Sequence, residues 1–182
     1  QKTVGITFVH VTHNQEEAMS VADRIAIIAN GELLEQGTPR EIYSNPKNKF
    51  TAEFIGEKNI FKGKVLDFNK KSVNVDIVND TIKIANLNYD IKIKQEIYLS
   101  IKSESIDIIK KNKTEKSISK NNETINGTVS EITFLGQFVR YLVVLNNGKE
   151  IQVRTNHEVK GLKLKDNVSL SWNIEDFLLH QN

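Results

Sequence analysis

The sequence predicts a short α/β segment followed by an all-β domain of the small-barrel or sandwich kind. Two observations carry this. Apolar residues recur at helical spacing only in the first third of the chain, and from Phe61 onward the period falls to two. The 182 residues, 38% of them hydrophobic, suffice for a real core, since a folded chain of this size buries about 70% of its unfolded surface.

Thr7–Val11 (TFVHV) is short and β-rich and predicts a strand. Asn14 can cap a helix through QEEAMSVAD, where Ala18, Val21 and Ala22 fall at i, i+3 and i+4. Arg24–Ala29 and Glu32–Gln36 flank Asn30-Gly31, the dipeptide that best supplies two positive φ angles, so they predict a hairpin. Thr38, Pro39 and Glu41 form a capping box with proline at the first helical position, and Pro46 stops the helix that carries Ile42 and Tyr43. Asn48 caps another, with Phe50 and Phe54 on one face and Gly56 at its end. One strand and a few helices cannot cover both faces of a parallel sheet, so this part is expected to join a sheet whose other strands lie outside the chain.

The β region alternates through Val73/Val75/Ile77, Ile82/Ile84, Ile97/Leu99/Ile101, Ile106/Ile108, Val139/Tyr141/Val143/Leu145, Ile151/Val153 and Val168/Leu170/Trp172. About eight short strands without intervening helices predict an antiparallel barrel or sandwich. Asn146-Asn147-Gly148 marks a hairpin, and Gly127 and Gly136 mark bends or bulges. A polar, low-complexity run at about 110–123 is expected to be a mobile loop dividing this region into two halves. The domain expectation is thus 1–57 and 58–182.

Composition excludes much. Without cysteine there is no disulfide scaffold, thiolate metal site or cysteine nucleophile. The 25 basic and 23 acidic residues leave +2, spread along the chain, so no nucleic-acid partner is expected. No apolar run approaches the ~20 residues that span a bilayer. The chain opens on Gln1 directly before a strand-like run, which suggests that part of a longer protein precedes it. No glycine sits in a GxxxxGK[ST] phosphate cradle. Glu16-Glu17 point about 100° apart and suit the first helical turn better than acid–base work.

Of the four histidines, His13 stands where ligands gather in open α/β sheets, just past a strand and before a helix start, and its imidazole could donate to a phosphate oxygen. A polar residue at a strand end is the competing reading. His10 is expected to pack in the strand, and His157 and His180 to be exposed. Phe134, Phe138 and Tyr141 near Arg140 suggest base stacking, but their alternation assigns most of them to the interior.

The runs VTHNQEEAMSVADRI, NGELLEQGTPREIY and FIGEKN are long and specific. With YLSIKSESIDI, INGTVSEITFLGQFVRYLVVL and NVSLSW, they resemble the C-terminal part of the ATP-binding subunits of bacterial ABC importers of the spermidine/putrescine type. That resemblance implies a remnant of a P-loop NTPase-type nucleotide-binding domain, then an OB-like transport-associated (TOBE) regulatory domain. It implies that His13 is the switch histidine, contacting the γ-phosphate and coupling hydrolysis to closure of a nucleotide sandwich dimer. Asn14 departs from the family's usual Asp but can still cap. ATP and Mg²⁺ would be held by upstream motifs that have no counterpart here, so this stretch alone is expected neither to bind ATP tightly nor to hydrolyse it. The implied partners are a second copy and the membrane permease subunits, at the inner face of the cell membrane. Sugar, sulfate or ferric iron are alternative cargoes. Alternative roles are a stand-alone barrel binding a small anion or nucleic acid, and a purely structural dimerisation domain.

Overall fold

The computed structural model describes residues 3–56, 58–77, 80–87, 89–111 and 123–180. The expected loop at about 110–123 lies largely outside them.

The first part holds three short helices, α1 (Gln15–Val21), α2 (Pro39–Ser44) and α3 (Lys49–Phe54), and one hairpin, β1 (Ile25–Ala29) with β2 (Glu32–Gly37). Asn30 and Gly31 take φ of 53° and 80°, the geometry the Asn-Gly pair favours. The capping box of α2 is complete. Thr38 Oγ1 accepts from Glu41 N at 3.3 Å, and Glu41 Oε2 accepts from Thr38 N at 2.8 Å, which holds the Glu41 carboxyl below the usual range. Ile25, Ile27, Ile42 and Ile55 form a small core, with Ala18, Met19, Ala22 and Tyr43 packed on it.

The expected strand at Thr7–Val11 is not formed. Phe8, Val9 and Val11 are 64%, 89% and 92% exposed, and no described strand runs beside them. A strand needs a neighbour to satisfy its N–H and C=O groups, so β propensity alone does not make one.

Among the described residues the β region has ten strands, β3 (Lys58–Phe68), β4 (Ser72–Asp76), β5 (Thr81–Ala85), β6 (Glu96–Lys102), β7 (Asp107–Lys110), β8 (Glu123–Phe134), β9 (Val139–Leu145), β10 (Glu150–Thr155), β11 (Asn167–Trp172) and β12 (Leu178–His180). They form two antiparallel five-stranded sheets, β12-β6-β3-β4-β5 and β10-β9-β8-β11-β7, over one shared core. Trp172 and Phe61 both meet Phe177 edge to face, at 5.5 and 5.9 Å.

The two sheets are one unit used twice. β3 and β8 each carry a bulge, between Val65/Asp67 and Val129/Glu131. Each also carries a glycine against its neighbour strand. A Cβ on Gly63 would lie 2.5 Å from Val75 Cγ1 and 2.8 Å from Asp76 O, and one on Gly127 would meet Val143 Cγ1 and Val144 O at the same distances. Lys94 and Lys165, both at φ 67°, donate to the carbonyls of Val65 and Val129 at 2.8 Å. The units exchange their last strands: β7 pairs with β11 in the second sheet, and β12 pairs with β6 in the first. Asn59 adds a further tie. Its Nδ2 donates to Gln152 O (2.8 Å) and its Oδ1 accepts from Gln152 N (2.7 Å), so a side chain from β3 completes edge strand β10.

Candidate functional site

His13 sits in the loop between the irregular opening segment and α1, and it is exposed. The loop is pinned by its neighbours. Asn14 Oδ1 caps α1 by accepting from Glu16 N (3.0 Å) and Glu17 N (3.3 Å). Thr12 Oγ1 accepts from Asn14 N (3.0 Å) and donates to Glu17 Oε2 (2.7 Å). His10 Nε2 lies 3.4 Å from the same carboxylate oxygen. Thr12 first and His10 second hold Glu17 below the usual carboxylate range. These bonds fix the backbone on both sides of His13 while its imidazole faces solvent, able to donate to an anionic oxygen. Asparagine thus does the capping work at position 14, and Glu16 and Glu17 serve the helix start.

Gln15, which has no distinguishing signal in the helical pattern, ties this loop to a distant segment. Its Nε2 donates to Phe54 O, and its Oε1 accepts from Gly56 N at 3.0 Å. Phe54 ends α3 and Gly56 precedes β3, so the clasp joins the His13 loop to the entry into the barrel.

The other candidates fall elsewhere. His10 is an exposed residue beside Glu17 and not a packed strand residue, because the strand that would bury it is not formed. His157 is exposed. His180 is 1% exposed, contrary to expectation: β12 turns it into the interior, where Nε2 lies 2.8 Å from Ser100 Oγ. Three residues are too few for alternation to reveal a strand. Tyr141 is fully buried and its hydroxyl accepts from Val159 N (2.8 Å), Phe138 carries the Arg154 guanidinium 4.0 Å from its ring centroid, and Arg140 lies 3.6 Å from Glu131. Phe134 is 74% exposed at the end of β8, not interior. They form no shared stacking surface.

Among the described residues no group of three or more His, Asp or Glu is arranged to hold a metal ion, and no helix is long and apolar enough to cross a membrane.

Residues 99–179 match the TOBE domain family. The chain is 33% identical over 181 residues to the spermidine/putrescine import ATP-binding protein PotA of Thermotoga maritima, covering 95% of this chain and 48% of that protein. It is 37% identical over 150 residues to PotA of Aggregatibacter actinomycetemcomitans, covering 82% and 39%. The chain therefore spans about half the length, or less, of these relatives. Among solved structures, the cytoplasmic molybdate-binding protein ModG, with molybdate bound, superposes with a TM-score of 0.57 at 20% identity, over 69% of this chain and 96% of that one. This likeness establishes the β fold alone.

Proposed function

We propose that this chain, which its TOBE match and its homology to PotA proteins identify with the ATP-binding subunits of ABC importers, is the C-terminal portion of such a subunit, serving polyamine uptake. His13 carries the proposal. It is held outward on a loop fixed by Thr12, Asn14 and Glu17, as a residue must be if it is to meet a phosphate brought by another part of the subunit. In the complete subunit, ATP and Mg²⁺ would be bound by residues outside this chain. The part played here is a hydrogen bond from the His13 imidazole to a terminal phosphate oxygen, with the imidazole able to donate from either ring nitrogen according to tautomer. The barrel would steady or regulate the subunit pair and support contact with the permease subunits at the cytoplasmic face of the membrane.

The named relatives support polyamine as the cargo. The test is reconstitution of the complete subunit with its permease and solute-binding protein in liposomes. ATP-dependent uptake of labelled spermidine or putrescine is expected. Uptake of a sugar, sulfate or ferric iron without polyamine uptake would overturn the cargo, and uptake undiminished by His13→Ala would overturn the role of the imidazole.

A further inference from the structure

Three elements of the first part reach the junction with the barrel, two of them at one residue, Gly56. From α1, Gln15 Oε1 accepts the Gly56 N–H at 3.0 Å while its Nε2 donates to Phe54 O. From α2, the Tyr43 ring lies against the other side. Gly56 has φ 77°, and a Cβ built there would stand 3.0 Å from Tyr43 Cε2, so glycine is required twice over, by conformation and by space. Tyr43 in turn reaches the barrel: its hydroxyl donates to Glu104 Oε1 at 2.7 Å, and Lys102 Nζ stands 4.6 Å from its ring centroid. From α3, Lys49 Nζ stands 4.3 Å from the ring centroid of Tyr98 on β6.

Nothing in the local chemistry of α1 requires the Gln15 bonds. Its start is already capped by Asn14. The two-pronged amide instead spends both its donor and its acceptor on backbone 39 and 41 residues away, at the threshold of β3. We propose that Gln15 is a positioning residue. Through Gly56 and Tyr43 it locks the loop bearing His13 to the barrel, so that the orientation of one is set by the other. This rests on the reading of His13 given above and adds the connection by which the barrel could act on it. The test measures the coupling itself.

The test uses the chain as it stands. Its lack of cysteine lets spin labels be placed at Ser20→Cys on α1 and Asn126→Cys on β8 without background. Two quantities are read, the exchange rate of the Gly56 amide and the distribution of inter-label distances. Gln15→Leu removes both bonds and should speed Gly56 exchange roughly tenfold while broadening the distances. Gln15→Glu keeps an acceptor for Gly56 N–H and should hold exchange within about threefold of the parent at neutral pH. Tyr43→Phe should broaden the distances while leaving Gly56 protected. Unchanged exchange and unchanged distances in Gln15→Leu would overturn the proposal. So would equal acceleration in the Leu and Glu variants, which would make side-chain packing, not the accepted bond, the cause. No nucleotide is present, so failure here leaves the His13 reading standing, and failure of His13 in turnover leaves the clasp standing.

Discussion

Replacing Asn59 with alanine removes the side chain that joins β3 to edge strand β10. Asn59 is 7% exposed, and both of its polar atoms are engaged with the backbone of Gln152, at 2.8 and 2.7 Å. Two hydrogen bonds are lost, each contributing about 0.5–1.5 kcal/mol net, and the N–H and C=O of Gln152 lose their partners at a partly covered edge. The expected loss is about 2–4 kcal/mol, which for a chain of this length lowers Tm by roughly 6–12 °C. The single tryptophan, Trp172, is 3% exposed within the same core and supplies a fluorescence readout of urea or thermal unfolding. Asn59→Asp is the control. Its carboxylate can still accept from Gln152 N, but at neutral pH it presents an acceptor to Gln152 O. Protonation restores a donor, so the folded state raises the pKa of this carboxyl. The Asp variant should therefore be weakest near neutrality and regain stability relative to the parent as pH falls through the raised folded-state pKa, the recovery being complete below about 4. An alanine variant within 0.5 kcal/mol of the parent, or an Asp variant whose deficit ignores pH, would refute the reasoning.

Gly127→Ala should cost about 2–3 kcal/mol in urea unfolding, because its Cβ would stand 2.8 Å from the Val144 carbonyl oxygen, which cannot rotate away. Lys165→Gly should raise stability by about 0.5–1 kcal/mol, since a lysine held at φ 67° is strained where glycine is not. Asp166 is held below the usual carboxylate range, first by the Lys110 ammonium and then by Lys163 N–H, and Glu17 and Glu41 are also lowered. Groups with depressed folded-state pKa values contribute stability at neutral pH that is lost as acid protonates them. Urea midpoints should therefore fall as pH drops through the folded-state values, and Asp166→Asn should flatten that fall.

Much of the fold was legible because it is written locally. Thr38, Pro39 and Glu41 specify a helix start within four residues, Asn30-Gly31 specifies a hairpin in two, and period-two alternation marks the long strands. Alternation says that a segment is a strand without saying which strand lies beside it. The exchange of β7 and β12 therefore had no local signature. One signal could have revealed the duplication behind it: IKIKQEIYLS from Ile91 and LKLKDNVSLS from Leu162 share spacing and chemistry. Thr7–Val11 failed for the opposite reason, since its composition favours a strand while no described neighbour supplies the ladder. At the candidate site the exposure of His13 and the Asn14 cap follow from neighbours in sequence. The Gln15 clasp spans some forty residues and could be read only from coordinates.

ATP turnover by the complete subunit carrying His13→Ala, set beside the unaltered protein, bears most directly on the central claim. A kcat lowered by about 100-fold or more, with the melting of the barrel core unchanged by Trp172 fluorescence, is the expected result. Turnover at the parent rate would contradict it.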